Sequence, residues 1–200
     1  DGGRIAFDRQ GAYNRIYVSP LAGGQPVAVR SDKYFFSGPT WSPDGTSIAF
    51  AALLDGKWEL QRTEVGRPTS NVMLRGAIVP YTQSRWSPDG RWIAVLSTHP
   101  NGLVLVSPDP KSGLQEVMLS EETGWLVFGW AKDSRTVYGI RNADGRMMLV
   151  SVDVGTRRET VINRDLGPVA LSDVPVRGFT WLTPTSFGTS IVRVSARLWL

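Results

Sequence analysis

Residues 86–95 read WSPDGRWIAV, a pattern typical of a strand end, a tight turn and the start of a new strand. Pro88 presets the backbone φ angle at the second turn position, Asp89 accepts hydrogen bonds from nearby backbone groups, and Gly90 closes the turn without a Cβ atom. Alternating apolar side chains follow, as expected of a half-buried strand. The segment therefore predicts two β-strands joined by a Pro-Asp-Gly turn.

The same pattern occurs again along the chain. Residues 41–50 read WSPDGTSIAF, residues 130–138 read WAKDSRTVY, and residues 181–187 read WLTPTSF, with a shortened turn that lacks Asp-Gly. The tryptophans that open the four copies are separated by 45, 44 and 51 residues. A fixed period of this length indicates a repeat architecture.

Four short strands per repeat predict an all-β fold, a β-propeller built from four-stranded antiparallel blades. We expect a single domain over residues 1–200, with about five repeats whose first and last blades are incomplete, as in a fragment of a larger propeller. Hairpin turns are predicted at Asp55-Gly56, Asn101-Gly102 and Asp144-Gly145. The expected repeats cover residues 1–36, 37–78, 79–122, 123–172 and 173–200.

The repeated residues have a structural interpretation. The tryptophans are predicted to pack between blades as large apolar side chains; they are Trp41, Trp86, Trp130 and Trp181. The turn residues recur once per repeat and are predicted to bond their own backbone rather than to form a ring of catalytic carboxylates; they are Asp44, Gly45, Asp89, Gly90 and Asp133.

Composition restricts the function classes. The chain carries a net charge of +4 with its cations scattered, so we expect no nucleic-acid binding through this domain. The absence of Cys excludes disulfides and thiolate metal sites, and no apolar run is long enough for a transmembrane helix. His99, the only histidine, is predicted to be a solvated loop residue. We expect no cofactor and no metal ion.

The repeated Trp-Ser-Pro-Asp-Gly text resembles the TolB-like β-propeller repeat, a WD-like repeat with a Pro-Asp-Gly turn. The resemblance covers nearly the whole chain and implies a bacterial protein in which the propeller follows a signalling module. In this family, propellers of six or more blades bind partners at the channel mouth and the inter-blade loops. The resemblance also favours an extracytoplasmic, periplasmic location.

Aromatic side chains stand at the predicted innermost strands, where the mouth of a propeller channel lies. They are Tyr34, Phe35, Phe36, Tyr81, Trp125 and Phe179. Blade packing explains them, and so does an apolar rim for a partner, with Arg85 and Arg177 supplying charge-assisted hydrogen bonds. The candidate partner-binding residues are Tyr81, Arg85, Trp125 and Arg177.

Three functions are compatible with these features. The first is a non-catalytic scaffold that recognises a protein or another ligand within a larger bacterial protein. The second is the gating propeller of a prolyl-oligopeptidase-like serine peptidase, whose hydrolase domain would lie elsewhere in the polypeptide. The third is a small sugar-active enzyme, which would need two carboxylates at a defined separation. Unpaired edges of incomplete blades could also support self-association.

Overall fold

A computed structural model describes residues 2–9, 15–29, 35–67, 70–75, 78, 84–109, 116–167, 179–183 and 186–189. Within these ranges the regular structure consists of 17 strands in five antiparallel sheets and contains no helix. The chain divides into two compact units, Asp1–Glu121 and Glu122–Leu200. The predicted all-β fold with four-stranded antiparallel blades is confirmed.

The first unit contains three sheets in chain order. Sheet 1 consists of β1 (Arg4–Arg9), β2 (Arg15–Pro20) and β3 (Val27–Ala28). Sheet 2 consists of β4 (Phe35–Trp41), β5 (Ser47–Leu54), β6 (Lys57–Glu64) and β7 (Ser70–Arg75). Sheet 3 consists of β8 (Arg85–Trp86), β9 (Ile93–Thr98), β10 (Asn101–Val106) and β11 (Glu116–Ser120).

The second unit contains a four-stranded sheet and a strand pair. Sheet 4 consists of β12 (Trp125–Trp130), β13 (Thr136–Ala143), β14 (Arg146–Asp153) and β15 (Glu159–Asn163). The pair is formed by β16 (Phe179–Thr183) and β17 (Ser186–Thr189). In every sheet, strands adjacent in the sequence are also adjacent in space, as tight turns require.

Two of the three predicted hairpin turns are confirmed. Leu54 pairs with Lys57 across Asp55-Gly56, and both turn residues have positive φ angles, 48° and 76°. The Asp144-Gly145 turn has the same form, with φ angles of 53° and 78°. Positive φ at both positions is the geometry of a primed turn, whose twist matches the flanking strands.

The predicted turn at Asn101-Gly102 is wrong. Thr98 pairs with Asn101, so the turn consists of His99 and Pro100, and Gly102 lies inside β10 opposite Ser97. Glycine is required at position 102 for another reason. A Cβ atom there would lie 2.2 Å from the carbonyl oxygen of Ser120 in the neighbouring strand. Close backbone approach, rather than turn geometry, requires glycine there.

Sheet 2 lies between sheets 1 and 3 and buries both of its faces. Alternate residues of β5 point to opposite sides. Those of one face, Ile48, Phe50 and Ala52, pack in a cluster with Ile16 and Val18 of sheet 1. The residues of the other face, Ala49 and Ala51, pack in a cluster with Ile93, Val95, Val104 and Val106 of sheet 3. The core of the first unit therefore consists of layers between successive sheets.

Sheet 1 has one covered face and one face that is only partly buried. Ile5 occupies the repeat position of Ile48 and Ile93, which are both fully buried, yet 48% of its surface is exposed. On the same face, the rings of Phe7 and Tyr17 stack with centroids 5.7 Å apart. The same residue type at the same repeat position thus has a different environment, because burial depends on a neighbouring sheet.

Within the described ranges, no helix has the length and apolarity that a membrane-spanning segment requires.

The contrast between equivalent isoleucines predicts unequal stability effects. We expect Ile93→Ala to lower the free energy of unfolding by about 2–4 kcal/mol, because it leaves a cavity between sheets 2 and 3. Ile5→Ala should cost less than about 1 kcal/mol, because half of this side chain already contacts water. Urea unfolding of both variants of the chain, followed by tryptophan fluorescence, measures the difference.

Ile93→Val serves as a milder variant if the alanine variant does not fold, with an expected cost of about 0.5–1.5 kcal/mol. Equal losses for the Ile5 and Ile93 variants would contradict the layered packing.

Candidate functional site

The repeated turn is held by a hydrogen-bonded pair of serine and aspartate. In sheet 2, the Ser42 hydroxyl donates to Asp44 Oδ1 at 2.5 Å and accepts from the backbone N–H of Ser47 at 2.9 Å. Asp44 Oδ1 also accepts from the backbone N–H and the hydroxyl of Thr46 at 3.0 and 2.9 Å. These bonds connect the two strands that the turn joins.

The equivalent turn in sheet 3 repeats this arrangement. Ser87 donates to Asp89 Oδ1 at 2.6 Å and accepts from the backbone N–H of Trp92 at 3.0 Å. The backbone N–H of Arg91 donates to Asp89 Oδ1 at 3.1 Å. The side chains of the Ser-Pro-Asp-Gly motif are therefore engaged within their own turn.

Sheet 4 keeps the carboxylate and loses the serine. Asp133 Oδ1 accepts from the backbone N–H groups of Arg135 at 2.8 Å and Thr136 at 3.3 Å. Ala131 stands in the serine position, and Ser134 stands in the glycine position with a φ angle of 58°. All three carboxylates thus bond the backbone of their own turn.

The motif tryptophans lie beside the layers between sheets. Trp41 packs against the cluster shared by sheets 1 and 2, and Trp86 packs against the cluster shared by sheets 2 and 3. Trp130 is buried in the second unit. Trp181 lies in β16, and its side chain is outside the described part of the structure.

Two arginines connect one sheet to the next. Arg4 of sheet 1 stands over the Trp41 ring, 4.9 Å from its centroid, and donates to the carbonyl oxygen of Gly45 at 2.8 Å. Arg62 of sheet 2 donates to the Ser47 hydroxyl and, at 3.2 Å, to the carbonyl oxygen of Pro108, which follows β10. The sequence offers no signal for these bonds, because they depend on the stacking of sheets.

Arg85 is the best-defined of the four predicted partner-binding residues. It begins β8 of sheet 3 and is half-buried, and its guanidinium donates to the carbonyl oxygen of Ser84 at 3.2 Å. The buried Ser84 hydroxyl in turn donates to the carbonyl oxygen of Gly38 in β4 at 3.4 Å. Burial lowers the pKa of Arg85, although the side chain remains a cation.

Trp125 has a packed environment. It is 8% exposed, and it pairs in register with Arg141 of the adjacent strand. Arg141 forms salt bridges of 3.0 Å with Glu122 and Glu159, and its side chain is 11% exposed. For Trp125, as for the fully buried Phe36, these surroundings favour a packing role over an exposed rim.

The four predicted binding residues are distributed over the two compact units and the residues outside the described ranges. Arg85 belongs to the first unit and Trp125 to the second. Tyr81 and Arg177, and also Tyr34, lie outside the described residues. Phe179 lies in β16, and its side chain is not described. Arg85 and Trp125 are thus the two candidates whose local surroundings are described, and of these Arg85 is the less buried.

Sequence reasoning missed a row of polar side chains inside sheet 2. Glu59, Gln61 and Thr63 alternate along β6 and are buried, and Gln61 donates to Glu59 at 3.1 Å. In register they face Ala52, Phe50 and Ile48. Alternation of polar residues in a strand normally indicates a solvent-facing side, so the sequence pattern pointed away from burial.

Among the residues that the structure describes, no group of three or more His, Asp or Glu side chains is placed to hold a metal ion. The described surroundings of His99 are those of an exposed turn, with Nδ1 3.3 Å from the hydroxyl of Thr98.

Comparison with known proteins gives one sequence relative. No known family profile matches the chain. Tricorn protease homolog 1 from Streptomyces coelicolor is 37% identical over 100 residues, which represent 49% of this chain and 9% of that protein. The chain therefore spans less than a tenth of the curated relative that it matches.

Solved structures show the fold. TolB from Acinetobacter baumannii matches 82% of this chain, with a TM-score of 0.68 and 20% identity, and the match covers 41% of that chain. A structure from a study of two prolyl endopeptidases matches 96% of this chain and 31% of its own, with a TM-score of 0.65 and 15% identity. The likeness of the fold to TolB-like propellers is thus confirmed.

The turn geometry predicts a dependence of stability on pH. Hydrogen bonds from Ser42 and then from Thr46 lower the pKa of Asp44 to about 2. Because the unfolded value is about 3.9, the charged carboxylate stabilises the fold above pH 4. This contribution is lost as the pH falls from about 4 to about 2.

Asp44→Asn should therefore lower the urea midpoint at pH 7, and the gap from the parent chain should close near pH 2. Urea titrations at several pH values measure the gap. Asp8→Asn, which removes an exposed carboxylate from β1, is the matched control. A gap for Asp44→Asn that stays constant down to pH 2 would contradict the role of the charge.

Proposed function

We propose that this chain is a non-catalytic propeller scaffold that recognises a protein or peptide within a larger bacterial protein. One observation carries the proposal: the recurring carboxylates, Asp44, Asp89 and Asp133, each bond the backbone of their own turn. The residues that define the repeat thus stabilise the fold. We therefore assign binding of the partner to residues that differ between repeats. By the resemblance to TolB-like proteins, we assign it to the space outside the cytoplasm.

The recognition residue with the strongest support is Arg85. A partly desolvated guanidinium binds a carboxylate more strongly than an exposed one, and it can do so through two parallel hydrogen bonds. The guanidinium of Arg85 donates to the carbonyl oxygen of Ser84, and the Ser84 hydroxyl donates to Gly38 of sheet 2. These two hydrogen bonds hold the Arg85 side chain in position. We therefore propose that the partner presents a carboxylate to Arg85, with Tyr81, Trp125 and Arg177 as further candidates.

A peptidase-associated function is the second candidate, because two comparisons favour it. The sequence relative is a Tricorn protease homologue, and a prolyl endopeptidase structure matches 96% of this chain. In this alternative, the chain is the propeller of a serine peptidase and controls access to a hydrolase domain located elsewhere in the polypeptide.

Peptide selection tests the scaffold proposal. A random displayed-peptide library is screened against the chain, and the affinity of selected peptides is measured by fluorescence anisotropy. We expect carboxylate-bearing peptides, and we expect Arg85→Gln to weaken their binding about tenfold, which corresponds to about 1.4 kcal/mol.

Arg67→Gln is the matched control, because Arg67 is an exposed arginine paired with Glu64. It should leave the affinity unchanged. No enriched peptide, or the same loss for both arginine variants, would contradict the assignment of Arg85.

A serine-reactive fluorophosphonate probe separates the two functions. In the peptidase alternative, the full polypeptide encoded by the gene is labelled, and its sequence contains a Gly-x-Ser-x-Gly elbow followed by Asp and His. Residues 1–200 alone should remain unlabelled. A full polypeptide without labelling would exclude the peptidase alternative.

A further inference from the structure

Sheet 4 carries a group of exposed cations at one of its ends. We call the group Lys132, Arg135, Arg157 and Arg158 the cation cluster; all four residues are exposed. Lys132 and Arg135 belong to the turn between β12 and β13, and Arg157 and Arg158 belong to the turn between β14 and β15.

One backbone hydrogen bond joins these two turns, and two more close the turn between β14 and β15. The N–H of Val154 donates to the carbonyl oxygen of Arg135 at 2.8 Å. The N–H of Asp153 donates to the carbonyl oxygen of Arg158 at 3.1 Å, and the N–H of Arg157 donates to the carbonyl oxygen of Asp153 at 2.8 Å. The four cations thus project from one connected backbone surface.

The side chains of the cation cluster are available for an external partner. In the part of the chain that the structure describes, none of the four forms a salt bridge or a side-chain hydrogen bond. At the opposite end of the sheet, by contrast, Arg146 is paired with Asp165.

Two carboxylates share the surface, and both are engaged by their turns. Asp133 accepts from the backbone of Arg135 and Thr136. Asp153 accepts from the backbone N–H and the hydroxyl of Thr156 at 2.7 and 2.8 Å. These bonds and, more weakly, the charge of Arg135 lower the pKa of Asp153. The cations outnumber these carboxylates by two.

Among the described residues, the equivalent ends of sheets 2 and 3 show no such group of unpaired cations. In sheet 2, the described charged residues of the two turns are Asp44, Glu64 and Arg67, and Arg67 is paired with Glu64. Arg62 of β6 also reaches this end, where its guanidinium is bonded to Ser47 and Pro108. In sheet 3, the described charged residues of the two turns are Asp89, Arg91 and Asp109. Because the aspartate turn between the first two strands is shared, the charges of Lys132 and Arg135 are not needed to build that turn.

We propose that the cation cluster binds a carboxylate-rich peptide segment of a protein partner. This inference rests on the proposed scaffold function and adds a second contact surface with a stated chemistry. Guanidinium groups form bidentate pairs with carboxylates. The cluster occupies one end of one sheet and is interrupted by Asp133 and Asp153, which disfavours the long phosphate backbone of a nucleic acid.

Binding of a fluorescein-labelled octaglutamate peptide tests the proposal. Fluorescence anisotropy is measured with the whole chain at low salt, and the affinity should fall as salt is added, because exposed charges are screened. The double variant Arg135→Glu, Arg158→Glu should weaken binding by about tenfold or more, since it removes two attractive charges and adds two repulsive ones.

The matched control is the double variant Lys57→Glu, Arg164→Glu, which makes the same charge change at exposed cations outside the cluster. It should weaken binding less than about twofold, as expected of sites outside the contact surface. Circular dichroism and thermal unfolding verify that both variants are folded. If both variants lose the same affinity, binding follows net charge and the proposal is overturned.

Two further probes test the class of partner. An eight-nucleotide single-stranded DNA and vesicles containing phosphatidylserine are titrated under the same conditions. Tighter binding of either probe than of octaglutamate, lost only in the Arg135/Arg158 variant, would overturn the peptide assignment in favour of a phosphate ligand.

The result is separable from that for Arg85. Selected peptides that lose affinity in Arg85→Gln, together with octaglutamate binding that is unchanged in Arg135→Glu, Arg158→Glu, would overturn this inference and leave the scaffold function intact. Octaglutamate binding that requires the cluster would support the inference, and the assignment of Arg85 would still be decided by the selected peptides.

Discussion

A blade with apolar side chains on both faces needs a neighbouring sheet on each side. This constraint organises the first unit, where β5 of sheet 2 places Ile48, Phe50 and Ala52 on one side and Ala49 and Ala51 on the other. Neither face could remain in water without a large loss of hydrophobic stabilisation. The sheets of the first unit are therefore stable as a stack, in which sheet 2 buries apolar side chains against both of its neighbours.

Polar contacts set the relative position of neighbouring sheets, which apolar burial alone does not determine. Burial is non-directional, so it does not by itself set the register between two sheets. Arg4 makes directional contacts between sheets 1 and 2, because it lies over the Trp41 ring and donates a hydrogen bond to the carbonyl oxygen of Gly45. Arg62 does the same toward Pro108. At the turns, the Ser-Asp pair holds the two strands in place and leaves the loop surface free to vary.

The sequence predicted what local chemistry determines. A primed turn needs two positive φ angles, which Asp55-Gly56 supplies. The Pro-Asp-Gly turns were predicted from a different local signal, the fixed φ of proline and the backbone hydrogen bonds of aspartate. Gly102 was misassigned, because a glycine required by the approach of Ser120 looks identical in sequence to a glycine required by a turn. Likewise, Glu59 alternates as a surface residue does, yet it is buried.

The candidate site was less predictable, because its residues are defined by neighbours distant in the sequence. The position of Arg85 at an innermost strand followed from the repeat, whereas its burial depends on contacts that the repeat does not encode. Trp125 is a parallel case: its place in the strand was predicted correctly, and packing beside Arg141 decides its environment.

In a repeat protein, some positions of each repeat build the fold and others are available for binding a partner. Positions that build the turn hold the same residue types in sheets 2 and 3, and Asp133 keeps the turn bonds in sheet 4 without the serine. The positions beside them are free to change, because their side chains point to solvent. Lys132 replaces a proline of the other repeats, and the turn forms nevertheless. Charge at such positions costs the fold little, so sheet 4 can carry exposed cations in a turn that has the same architecture as those of sheets 2 and 3.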